Sequence, residues 1–117
     1  MWQHEPCFFG WKQGNKPKWN SGDFPTTVWQ VDVPLLPGEV SRHPTEKPLK
    51  LFTTPILLHT KPGDLCCEPF SGSGTHLVAA QTMDRHCFAV EIEPAFVAVA
   101  LERLAEMGLE PKLANSR

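Results

Sequence analysis

The sequence has no apolar run approaching the ~20 residues that a membrane-spanning helix needs. Its first residues are polar and hold no apolar leader. The expectation is a soluble, cytoplasmic protein. An excess of one charge is missing as well. The formal net charge is -2, so the total calls for neither a nucleic acid nor an acidic membrane surface. Residues 1–20 carry three lysines and one acid, and residues 61–117 carry eight acids and five basic residues. That is a mild asymmetry, not a binding footprint. Cysteine is scarce and poorly spaced for a metal. The four, at positions 7, 66, 67 and 87, include no CxxC pair. Cys66 and Cys67 are adjacent in an apparent strand, so their side chains point to opposite faces. His4 and Cys7 form an H-x-x-C with no second pair at zinc-finger spacing. Structural zinc usually takes four ligands, so no metal site is expected. The cysteines read as buried thiols in a reducing compartment.

What is present is enough chain, 117 residues, for one modest core. MWQHEPCFFGW at 1–11 reads as a strand ending at Gly10, because aromatic residues favour a pleated, half-buried surface. KQGNKPKWNSGDFPT at 12–26 reads as an exposed loop. TVWQVDV at 27–33 alternates as a strand does. Residues 34–44 form a connector with three prolines. A helix is predicted over 46–59, with Thr45 as N-cap and Pro48 in the first turn. Leu49, Phe52, Ile56 and Leu57 would share its buried face, and Pro55 should kink or shorten it. Strands follow at 64–70 and 87–92, with helices at 76–83 and from Pro94 to about Met107, where Gly108 is the stop. Strand, helix, strand, helix predicts an α/β protein with a parallel sheet. The two front strands would add an antiparallel pair at its edge.

The chemistry is concentrated in DLCCEPFSGSGTHLVAA, residues 64–80. Gly72 and Gly74 flank Ser73 between a strand and a helix. Glycine there permits positive φ and close approach to a ligand, and the helix N-terminus favours an anionic group. Glu91 ends the next strand, in FAVEIEP at 88–94, 19 residues after Gly72. An acid about 20 residues past a glycine loop is where nucleoside-binding units accept hydrogen bonds from ribose hydroxyls. Together these features point to an adenosyl ligand. The plainer alternative is a strand–helix turn and a surface acid. The third glycine of G-x-G-x-x-G is missing, as is the G-K-[ST] ending of a phosphate loop. Neither a dinucleotide nor a nucleoside triphosphate is favoured.

HPTEKP at 43–48, CEPFSGSGT at 67–75 and AVEIEPAF at 89–96 together resemble the carboxyl-terminal half of the amino-methylating DNA methyltransferases. Those enzymes modify adenine N6 or cytosine N4. The likeness runs from about Met1 to Leu104, and HEPCFFGWKQG at 4–14 joins it. It implies a partial Rossmann-like methyltransferase fold in one domain. Residues 1–42 would be edge strands and loop, 43–107 an S-adenosylmethionine-binding βαβα segment, and 108–117 a tail. Phe70, Gly72, Ser73 and Gly74 would line the methyl donor, and Glu91 would hold its ribose. Thr45 and Lys47 would approach its carboxylate. A lysine in a helix's first turn opposes the helix dipole unless an anion is near. Glu68 stands where the family usually has Asp.

The family's catalytic (D/N/S)PPY motif is absent, and the chain contains no tyrosine, so no catalytic residue is assigned. That motif holds the flipped base and its amino group. The resemblance therefore implies a prokaryotic or phage-like DNA methyltransferase's donor-binding portion, inactive alone, whose partners are DNA and either a complementing half or a second copy of itself. A non-catalytic S-adenosylmethionine-binding remnant, and a methyltransferase of RNA or small molecules, are the alternatives. WKQGNKPKW at 11–19 interleaves Lys12, Lys16 and Lys18 with Trp11 and Trp19. It would either track a DNA backbone and stack on a base or be a solvated loop whose tryptophans pack back on the edge strands.

Overall fold

The computed structural model describes residues 4–20, 26–31 and 47–114. Its elements are helix α1 (Lys50–His59), strand β1 (Leu65–Glu68), helix α2 (Thr75–Thr82), strand β2 (His86–Ala89) and helix α3 (Pro94–Glu106). β1 and β2 pair in parallel, with Leu65 opposite His86 and Glu68 opposite Ala89. The α/β order expected for the back half is therefore the order found, with each strand somewhat shorter than its hydrophobic run.

Local chemistry sets most of the boundaries. Lys61-Pro62-Gly63-Asp64 closes a β-turn, Asp64 N–H to the Lys61 carbonyl at 3.0 Å, and the Asp64 carboxylate accepts the Lys61 N–H at 2.8 Å. α3 opens with Pro94 in its first turn, and the Glu93 side chain accepts the Ala95 N–H. It closes with Gly108 N–H to the Ala105 carbonyl at 2.9 Å and Leu109 N–H to the Leu104 carbonyl at 3.2 Å. That pair of bonds is a Schellman stop. α2 ends the same way: Asp84 N–H meets Gln81 and Arg85 N–H meets Ala80. Here Asp84 takes the left-handed position at φ 60°. The Arg85 side chain then reaches back, its Nε to the Thr60 hydroxyl at 3.0 Å and its Nη2 to the Thr60 carbonyl at 2.8 Å. It ties the end of α1 to the end of α2.

α1 starts at Lys50, later than expected, after an uncapped Leu49 in helical conformation. Thr45 lies outside the described residues. The helix runs through Pro55, which costs it one backbone bond. The nearby Thr54 hydroxyl bonds back to the Lys50 carbonyl at 2.8 Å. Its buried residues are Ile56 and Leu58. Leu57, expected on the inner face, is half exposed.

Ile56, Cys66, Ala79 and Ala80 form the core, with Phe52, Met83 and Cys87 packed against them. α2 touches both α1 and α3. The other face of the sheet is bare. Leu65 is 57% exposed, Phe88 68% and Val90 64%, and Cys67 lies exposed among them in sequence alternation.

The expected edge strands are corrected. Residues 4–20 and 26–31 contain no strand; residues 32 and 33 lie outside the described set. Aromatic β-propensity expresses itself only where a neighbouring strand offers a ladder, and among the described residues none is beside these. Phe9, Trp11 and Trp19 gather at the end of α1 instead, and Phe8 is exposed. Phe9 stacks on His59 with ring centroids 4.7 Å apart, Trp19 meets His59 at 4.7 Å, and Trp11 meets Phe9 at 5.6 Å. One backbone bond, Asn20 N–H to the Leu58 carbonyl at 2.9 Å, anchors the segment.

Candidate functional site

The glycine turn leaves β1 at its carboxyl end and is held by three successive amides. Phe70 N–H donates to Glu68 Oε1 at 2.9 Å. Ser71 N–H donates to the Val90 carbonyl at 2.9 Å. Gly72 N–H donates to Glu91 Oε2 at 2.6 Å. The other Glu91 oxygen accepts the Glu93 N–H at 2.9 Å. Two carboxylates, Glu68 at the end of β1 and Glu91 two residues past the end of β2, thus fix the turn.

The two glycines have different tasks. At Gly72, with φ +54°, an added Cβ would meet nothing within 4 Å, so this backbone borders open space. At Gly74, with φ +80°, an added Cβ would lie 2.7 Å from the Ala100 Cβ. Gly74 therefore serves helix packing: it lets α3 settle against the start of α2. Ser73 is buried, and its hydroxyl is 3.2 Å from Arg103 Nη1. The same nitrogen donates to the Ser73 carbonyl at 3.0 Å and to the Thr75 hydroxyl at 3.1 Å. The Ser73 side chain thus faces α3. Phe70 is 87% exposed at the rim.

Gly72, Glu91 and Phe70 are brought together as the sequence suggested. Lys47 is apart from them in its contacts, with Nζ 2.6 Å from Glu5 Oε2 in an exposed pair. Because α1 begins at Lys50, Lys47 precedes the helix rather than lying in its first turn, and its anion is a side chain of the amino-terminal segment. Lys12, Lys16 and Lys18 are exposed around a turn closed by Asn15 N–H to the Lys12 carbonyl at 2.9 Å. The Trp19 ring meets Phe9 and His59 of α1, not an edge strand, and stays 43% exposed.

Sequence reasoning passed over His76 and Arg103. His76 Nδ1 lies 3.0 Å from Glu68 Oε2. A signal for it existed: a histidine in a helix's first turn opposes the dipole when protonated, so it wants an anion. Arg103 lies 30 residues from Ser73, beyond any local pattern.

Cys66 and Cys87 are held protonated by their surroundings, whereas Cys7 and Cys67 are exposed, against the expectation of four buried thiols. Burial pushes Cys66 up, with Arg85 opposing and Asp64 adding to the shift. Burial, with Cys66, Glu68 and Cys67 adding to it, pushes Cys87 up to about 11. Among the described residues no three His, Cys, Asp or Glu side chains are grouped to hold a metal. No helix of the described residues is long and apolar enough to cross a membrane.

The turn at the end of β1 is thus tied to an acid just past the end of its parallel neighbour. The comparisons name the lineage. The sequence model of the DNA methylase family matches residues 3–102. The chain belongs to the DNA methylase family. It is 37% identical over 103 residues to the type II methyltransferase M.Cfr9I of Citrobacter freundii, covering 86% of this chain and 33% of that protein. It is 35% identical over 92 residues to the DNA adenine methyltransferase YhdJ of Escherichia coli K12, covering 77% of this chain and 31% of that one. Among solved structures, the M1.HpyAVI complex with S-adenosylmethionine superposes with a TM-score of 0.63 at 30% identity, over 76% of this chain and 44% of that chain. This DNA methylase chain spans about a third of the length of the curated relatives it matches.

Proposed function

We propose that this chain is the donor-binding portion of an amino-methylating DNA methyltransferase. Its ligand would be S-adenosylmethionine, seated at the turn between β1 and α2. The observation that carries the reading is the junction of Gly72 and Glu91, which puts open backbone beside a carboxylate just beyond the carboxyl ends of two parallel strands. A second feature fits a bound group: the buried Ser71 hydroxyl has no hydrogen-bond partner among the described residues. Glu91 would accept from the ribose hydroxyls, Gly72 would let the ligand lie against the backbone, and Phe70 would cover it from the rim. Thr45 and Lys47 would serve the ligand's carboxylate, with Lys47 exchanging Glu5 for it. Lys12, Lys16 and Lys18 would contact the DNA backbone. When bound, the donor supplies a methyl group on a sulfonium, ready for attack by the exocyclic nitrogen of adenine or cytosine.

The bare face at Leu65, Phe88 and Val90 supports a complementing half. Such a half would carry the (D/N/S)PPY residues that hold the target base. A binding-only remnant is the second reading, favoured by the lack of that motif. Methyl transfer from radiolabelled S-adenosylmethionine to unmethylated DNA separates them. The chain alone should transfer nothing. Fused to the part of M.Cfr9I with which it does not align, it should transfer. Transfer by the chain alone would refute the division of labour, and a well-folded but inert fusion would favour the remnant.

A further inference from the structure

The two oxygens of Glu68 join the turn to α2. Oε1 holds the Phe70 N–H at 2.9 Å and Oε2 lies 3.0 Å from His76 Nδ1. The two side chains are only 20% and 17% exposed. The His76 ring in turn lies against Phe52 of α1, with centroids 5.5 Å apart at 38°. So the imidazole is fixed on one side by α1 and presents its nitrogen to the carboxylate on the other. A hydrogen bond to a carboxylate in such a half-buried place is stronger than one in water. Without it, Glu68 has χ angles free to turn away from the Phe70 amide.

We infer that His76 is a positioning residue for the donor site: it orients Glu68 so that the carboxylate fixes the Phe70–Gly72 turn. The turn has two carboxylate anchors, and Glu91 is one. His76 governs the other. The inference rests on the donor reading for its consequence, but the contact itself is a property of this chain.

The test is amide hydrogen exchange by NMR on the whole chain, in wild type, His76→Ala and His76→Asn, with S-adenosylmethionine titrations in parallel. Asn offers an amide N–H near the Nδ1 position. Removing the contact should speed Phe70 exchange at least about fivefold relative to Ala79 and Ala80, which report opening of the core. Asn should restore protection. Donor affinity should fall by about tenfold in His76→Ala and recover in His76→Asn. If Phe70 exchange in His76→Ala is unchanged, or rises only in step with Ala79 and Ala80, the inference is wrong. If wild type binds no donor while Phe70 responds as stated, the positioning role stands and the donor reading falls.

Discussion

Gly74 lies so close to Ala100 that a methyl group at position 74 would come within 2.7 Å of the Ala100 Cβ and 3.1 Å of its Cα. The contact joins the start of α2 to the middle of α3, and Arg103 reinforces it three residues on. Position 74 is also left-handed, at φ +80°. Gly74→Ala therefore meets two penalties, a strained backbone and a clash with main chain that cannot step aside. A loss of about 2–4 kcal/mol is expected in denaturant unfolding. An unchanged midpoint would mean that α3 does not rest there.

Asp84 gives the opposite prediction. It occupies the left-handed position of the Schellman stop that ends α2, where glycine has no Cβ cost. The bond from Gly63 N–H to the Asp84 carbonyl, at 2.7 Å, is main chain and survives substitution. Asp84→Gly should raise stability by roughly 0.5–1 kcal/mol, read as a higher melting temperature with an unchanged far-ultraviolet spectrum.

Thiol reactivity should follow burial. Cys7 and Cys67 are exposed, whereas Cys66 is buried and Cys87 partly so. A raised pKa keeps the thiol protonated, and only the thiolate reacts. With Cys87 pushed up to about 11, about one molecule in a thousand carries its thiolate at pH 8. Maleimide labelling followed by mass spectrometry should therefore modify Cys7 and Cys67 first. Cys87 should react only as the pH nears 11 or the chain unfolds.

The back half of the fold was legible because its signals are local. Cys66 and Cys67 alternate, Pro94 opens a helix and Gly108 closes it, so boundaries fell within a few residues. The Gly72–Glu91 relation was legible because its spacing follows from one strand–helix–strand unit. The front half was not. Phe8, Phe9 and Trp11 have strand propensity, but propensity cannot supply a neighbouring strand; Phe9 stacks on His59 instead, Trp11 meets Phe9, and Phe8 is exposed. The two glycines looked alike in sequence, and only the approach of Ala100 separates packing from ligand access. His76 and Glu68 lie eight residues apart across a turn, a separation that carries no periodic signature.

The central claim is that this chain binds the methyl donor through the Gly72–Glu91 junction. Calorimetric titration of S-adenosylmethionine into the wild-type chain and into Glu91→Ala tests it most directly, with circular dichroism to confirm that both are folded. Saturable binding by wild type, weakened at least about tenfold in Glu91→Ala, is the result predicted. No binding by the folded wild-type chain, or equal binding by the variant, would contradict it.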